Sequence, residues 1–356
     1  MRGIAIFIIR RIIVGWLLFI GLLTMSFFLV SMLPGEPAKA ILGEFATPES
    51  LAALNKTLGL DKPLIPRYFD YITSAMSGDL GVSFFTGRSV VDDLAMRIPN
   101  TLVYLIPGLF IAFVLGMAIG SIAAYRYGKP VDRTFTVSSS IMLAIPEFVM
   151  ALVFIVIFYS MLDIAPAPVG MLSGADEQPP NVTGSVVLDA IIGGYWGSLG
   201  GVLAHTVLPT VTVGVFFAIP IAKITRTGMV QILSSPQIEF AQALGLRRAQ
   251  VFRYAMVDIR GTIMTYFVIV LASSISGAAI VESVFSWPGV GGWSLKGVLA
   301  NDIPVIQGFV VIMGTASLAG YLALDVATTL LDPRTRADVA RVKRAVPARS
   351  IRKVDA

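Results

Sequence analysis

The 356-residue chain is 56% hydrophobic and only 14% charged, with a mean hydropathy of +0.81, a balance that excludes an ordinary soluble domain. The absence of cysteine excludes disulfides, thiolate metal sites and a cysteine nucleophile. The formal net charge of +5 reflects Lys and Arg concentrated in alternate connections between apolar runs, and does not point to nucleic acid.

A membrane span needs about 20 apolar residues to cross roughly 30 Å of hydrocarbon. Six runs reach that length, at 12–33, 98–125, 134–162, about 201–222, 261–281 and 303–324, which predicts an all-α, multi-pass membrane protein. With the N-terminus inside, the inner segments hold 20 of the 27 Lys and Arg residues, so both termini are expected in the cytoplasm and the chain in the plasma membrane. Arg10 and Arg11 precede the first run, but its length favours an uncleaved anchor over a signal peptide.

Residues 34–97 are too many for a plain connection and predict an extracytoplasmic cap. In it Thr47-Pro48-Glu49 starts a short helix carrying Leu51, Leu54 and Leu58, and a turn follows through Leu58-Gly59-Leu60-Asp61-Lys62-Pro63. The second run places Gly108, Ala112, Gly116, Gly120 and Ala124 at a spacing of four, a groove where another helix can approach closely. The third is interrupted by Glu147, directly after Pro146. An ionisable group within a span is costly unless it faces water or a partner, so Glu147 is a candidate for the substrate pathway beside a proline bend; a packed, hydrogen-bonded Glu is the other reading.

The outer loop 163–200 has no Lys or Arg, and Tyr195 and Trp196 suit a membrane interface. The fourth run holds the chain's one histidine, His205, either a packing residue or a group touching substrate. Residues 223–260 form a basic interruption. Ser235 as N-cap, Pro236 at the first helical position and Glu239 in the first turn predict a short helix ending at Gly245, which suits the left-handed conformation. A second helix should follow, with Val251, Phe252, Ala255, Met256 and Ile259 on one stripe. This helix-glycine-helix segment suits a partner's groove as well as it suits a solvated connector.

After the fifth run, Glu282 to Trp293 is rich in Gly, Pro and Trp, and predicts either a re-entrant turn or an aromatic belt. A basic tail, 332–356, closes the chain and could touch anionic lipid. No Gly-x4-Gly-Lys loop, His pair or Gly-x-Ser-x-Gly elbow occurs, so neither an ATP site, a zinc hydrolase nor a serine hydrolase is indicated. No catalytic, metal or cofactor site is expected.

In order along the chain, Leu33-Pro34-Gly35, the Leu58 to Pro63 turn, Gly78-Asp79-Leu80-Gly81-x-Ser83, His205-x-x-Leu208-Pro209, Glu239-Phe240-Ala241-x3-Gly245, Phe285-x-x-Pro288-Gly289-x-Gly291, Asp302-x-Pro304 and Leu331-Asp332-Pro333-Arg334 resemble one family. It is that of the permease subunits of binding-protein-dependent ABC importers, B-type, in the dipeptide, oligopeptide and nickel branch. Phe240 replaces an alanine of the family's loop motif, Tyr254-Ala255-Met256-Val257-Asp258 departs from the stretch after it, Tyr321 stands where Asn is usual, and Glu147 where a small or neutral residue is commoner.

The resemblance implies a type I importer permease fold, divided as a first helix (1–33), a cap (34–97), a core of five further helices (98–331) containing the coupling loop 223–260, and the tail. It implies a second permease of similar fold, two cytoplasmic ATPase subunits and an extracytoplasmic solute-binding protein as partners, besides membrane lipid. Pro236, Glu239, Phe240, Ala241, Gly245 and Leu246 would couple to an ATPase, and Asp79, Phe285, Trp287, Pro288 and Gly289 would form the outer docking or gating face. Peptides are the expected substrate. Nickel chelates, glutathione-like compounds and oligosaccharides remain open, as does, further off, an ATP-independent carrier or channel.

Overall fold

The computed structural model describes residues 2–32, 38, 42, 46–57, 59, 61–174, 176–180 and 182–331. The basic tail, the Leu33-Pro34-Gly35 motif and parts of the Leu58 to Pro63 and Leu331 to Arg334 motifs lie outside the described residues. The described helices are α1 (Arg2–Ser31), α2 (Pro48–Thr57), α3 (Leu64–Met76), α4 (Val90–Tyr125), α5 (Pro130–Ala144), α6 (Glu147–Phe154), α7 (Val186–Gly193), α8 (Trp196–Leu233), α9 (Pro236–Ala243), α10 (Arg248–Val284), α11 (Val290–Leu299) and α12 (Ile303–Leu331). A π-helical stretch, Ile155–Met161, prolongs α6. The β-structure among the described residues is one bridge between Val82 and Ser89.

Among the described residues five helices are long and apolar enough to cross a membrane, and α5 with α6 and its π-helical continuation forms a further apolar pair bent by 99°, a broken span or a re-entrant loop. The expected run 134–162 is therefore broken, because Pro146 follows Ile145 in an extended conformation and has no N–H to continue the α5 ladder. Other boundaries also move. α4 starts at Val90, well before the apolar run, with Asp92 and Asp93 favourably placed in its first turn, so the last eight residues assigned to the cap are helical. α8 and α10 likewise extend beyond the apolar stretches that announced them, leaving Ser234 to Arg247 as the connection between them.

The small-residue stripe on α4 does what its spacing predicts, since it faces α8 along its length. An ideal Cβ on Gly108 would lie 2.9 Å from Cγ1 of Val213, and one on Gly116 2.7 Å from Ile221; one on Gly120 would collide with the Ala222 carbonyl. Around this pair Tyr104, Leu109, Val202, Phe217 and Val270 form the main apolar core. α1 lies against α12 and α3 through Leu23, Ala75 and Val311, with Phe27 edge-on to Tyr68 and the Tyr68 hydroxyl hydrogen-bonded to Thr24 at 2.9 Å. The rest of α1 exposes apolar side chains such as Trp16 and Leu17, as suits a lipid-facing anchor.

Candidate functional site

Polar groups gather at three places in the bundle. The first is the connection between α8 and α10. Ser235 occupies the N-cap position of α9 with Pro236 at the first helical position, but its hydroxyl makes no capping bond; its carbonyl instead accepts the Ile238 and Glu239 N–H groups at 3.0 and 3.2 Å. Gly245 closes the helix at φ +80°, with its N–H on the Gln242 carbonyl at 2.9 Å and that of Leu246 on the Ala241 carbonyl at 3.2 Å. Gln250 Oε1 accepts the Arg247 N–H at 2.8 Å and starts α10. Ile238 is buried, whereas Glu239 and Gly245 are exposed and Phe240 and Leu244 stand 66% and 64% exposed. Of the expected stripe on α10, Ala255 and Ile259, with Met256 beside them, pack with Ala124 and Met229; Val251 is buried, while Phe252 faces outward.

Just above this connection Arg226 of α8 grips Asp132 of α5: its Nε donates to Oδ1, and Nη2 donates to Oδ2 at 2.9 Å. Asp132 also accepts the Gly128 N–H at 3.0 Å, and the guanidinium lies 5.6 Å from the Tyr127 ring. This bidentate pair fixes the start of the connection to the α4–α5 turn. Sequence reading missed it, although opposite charges near the ends of neighbouring spans were a visible signal.

The second place is the break at Pro146. Glu147 is the first residue of α6, where the positive helix end favours a carboxylate. It is half-buried and faces Gly277 of α10: an ideal Cβ there would sit 2.6 Å from Glu147 Oε2. His205 is not joined to it by a hydrogen bond. Its Nδ1 pairs with the Gly201 carbonyl of its own helix at 2.9 Å, and its buried Nε2 has no partner among the described residues.

The third place is the turn after α10. Glu282 is 1% exposed, and its carboxylate accepts hydrogen bonds from Thr101 Oγ1 at 2.6 Å, Tyr104 Oη at 3.3 Å and the Gly292 N–H at 2.7 Å. Thr101 Oγ1 in turn accepts the Val290 N–H at 2.9 Å, Trp287 Nε1 donates to the Asn100 carbonyl at 2.8 Å, and Asn100 Nδ2 donates to the Pro288 carbonyl at 3.1 Å. A Cβ on Gly289 would collide with Glu282, and one on Gly291 with the Ala279 backbone. Trp287 and Trp293 are therefore buried, which overturns the aromatic-belt reading for both. Phe285, Trp287 and Gly289 are also too buried to touch a partner directly; Asp79 and Pro288 are the exposed members of the expected outer face. Glu282, Thr101 and Asn100 were not singled out from sequence, though Glu282 closes an apolar run as Glu147 interrupts one.

Two motifs from separate parts of the chain meet beside this turn. Asp302 accepts hydrogen bonds from Ser83 Oγ at 2.7 Å and the Phe85 N–H at 2.9 Å, and caps α12 through the Val305 N–H at 3.2 Å. Leu80, Val90, Leu94, Val290, Trp293 and Val305 share one apolar cluster.

Long apolar helices zipped by small residues, with carboxylates held at their seams and an exposed helical turn at one end, define a multi-pass bundle of the transport class. The model of the binding-protein-dependent transport system inner membrane component matches residues 116–337, and that of the N-terminal part of such membrane components matches residues 4–105. The chain belongs to this family, and is a permease subunit of the type I ABC importer class. It is similar to the dipeptide transport system permease protein DppB of Escherichia coli (strain K12), 30% identical over 335 residues, which are 93% of this chain and 98% of the relative. It is 30% identical over 315 residues to the probable D,D-dipeptide transport system permease protein DdpB of the same strain, covering 88% of this chain and 92% of that one. The di/tripeptide transport system permease protein DppB of Pseudomonas aeruginosa (strain UCBPP-PA14) is also 30% identical, over 93% of this chain and 98% of its own length.

Proposed function

We propose that the chain forms half of the translocation pathway of an ATP-driven peptide importer, beside a second permease subunit of similar fold. Two cytoplasmic ATPase subunits hydrolyse ATP, one of them seated on α9, and an extracytoplasmic solute-binding protein delivers the peptide at the Pro288 end. The observation that carries this reading is the α9 turn: a short helix with Phe240 and, at its end, Leu244 exposed, reversed at Gly245 and joined through the short stretches 234–235 and 244–247 to two membrane-length helices. Such a turn can pass a push from a partner into the bundle. An ATP-independent carrier or channel would leave it without a task. The dipeptide names of the relatives support peptides over the other solutes, and the concentration of Lys and Arg supports placing α9 in the cytoplasm.

Reconstitution of the chain with its co-encoded partners tests this. Expected are co-purification with the ATPase subunits and uptake of di- or oligopeptide that requires both ATP and the loaded binding protein. Peptide uptake that proceeds without the ATPases would overturn the reading.

A further inference from the structure

At the same end of the bundle as α9, a groove of about 760 Å³ runs between α4 and α10. Its floor and walls are apolar, from Phe113 and Met117 on α4 to Phe252 and Met256 on α10, and two arginines, Arg126 and Arg248, flank its mouth. At the inner end Phe113 meets Phe267 edge-on, with ring centroids 5.1 Å apart. From Phe113 to Arg126 the groove is about 20 Å long at roughly 1.5 Å per residue, close to the depth of one leaflet with its headgroup region, half of a bilayer about 40–45 Å thick. Val114 and Ile122 in its wall are 47% and 52% exposed, so it opens sideways from the bundle. Neither Arg126 nor Arg248 has an ion pair or side-chain hydrogen bond among the described residues.

We propose that this groove is a binding site for an anionic phospholipid, with an acyl chain along Phe113, Met117 and Met256 and the phosphate between Arg126 and Arg248. Charge complementarity selects this occupant. A zwitterionic lipid would fill the apolar part as well but would leave the paired guanidinium groups facing no net negative charge, and basic pockets between membrane helices favour anionic headgroups. A second cavity, of about 480 Å³, shares Tyr125 and Arg248 with the mouth and reaches Gln242 and Leu246 beside the α9 turn. The headgroup therefore lies against the segment that connects α9 to α10.

The test uses the complete complex, extracted gently from membranes of equal phosphatidylglycerol and phosphatidylcholine, with retained lipid measured by mass spectrometry. The expected result is selective retention of phosphatidylglycerol that Arg126→Gln with Arg248→Gln lowers on the order of tenfold, whereas Lys129→Gln with Arg133→Gln, at the same end but outside the groove, leaves it unchanged. Equal losses from both pairs would mean diffuse attraction by a basic surface and would overturn the proposal. So would efficient cross-linking of Ile122→Cys to the second permease subunit with no phosphatidylglycerol retained, because the groove would then be a protein interface.

Discussion

Glu147 and Glu282 are both carboxylates in apolar surroundings, yet their settings differ in a way that decides what each can do. Glu282 is surrounded by donors, and removing any of them leaves a buried acceptor short of a partner, at a cost of about 1–3 kcal/mol. It acts as a pin between α4, α10 and the Trp287 turn. Glu147 accepts no hydrogen bond from a side chain or N–H among the described residues, begins a helix after a proline break and faces a glycine across the seam. A carboxylate placed so is available to a cationic group such as a peptide amine. Glu147→Gln keeps the size and removes the charge, so the complex is expected to assemble normally while peptide uptake falls, chiefly through a higher KM for peptides with a free amine. Uptake assays with free and N-acetylated peptides check this; equal uptake of both by the wild type and the variant would leave Glu147 a packing residue.

At the scale of elements, the membrane runs were legible because about 20 apolar residues in sequence have few other uses, and the α4–α8 seam because a glycine or alanine every four residues marks one helix face. The α9 turn was legible for a different reason: Pro236 and Gly245 carry backbone instructions in the residues themselves, whereas the hydroxyl of Ser235 does not make the expected cap. The 99° break at Pro146 was only half legible, since a proline announces a bend but the packing against α8 and α10 sets its size. The Glu282 network and the Asp302 link were not legible, because each joins residues roughly 180–220 positions apart. The expectation for the α9 turn is specific. No atom lies within 4 Å of a Cβ built on Gly245, so a larger residue meets no clash within the chain, and the cost of Gly245→Val arises from the left-handed conformation, about 1–2 kcal/mol. The bundle should therefore insert and fold, while the docked turn loosens: ATPase co-purification or peptide transported per ATP should fall several-fold, and Glu239→Lys, which puts a cation at the positive end of α9, should act in the same direction. Normal association together with normal transport per ATP would make the segment a passive connector.

On the scale of the whole molecule, α10 runs unbroken from the α9 turn at Arg248 to Val284, so one helix of 37 residues, about 55 Å at roughly 1.5 Å per residue, links the two ends where polar structure concentrates. At the far end the Ser83–Asp302 bond ties the segment before α4 to α12, and the Leu80, Val290 and Val305 cluster joins that segment to the Trp287 turn. Asp79 and Pro288 thus project from parts of one packed platform rather than from independent loops. A binding protein that docks there would sense the position of α10 directly, which gives the proposed cycle a mechanical route from ATP to the outer face. Single cysteines at Asp79 and Pro288, carrying a short photo-crosslinker, are expected to capture the peptide-loaded binding protein, with yield that changes when ATP is bound to the complex. Neither substitution removes a core contact, since both residues are exposed, so loss of folding does not cloud the outcome. Capture solely from positions in the 163–200 loop would move the docking face there and would separate α10 from the outer partner.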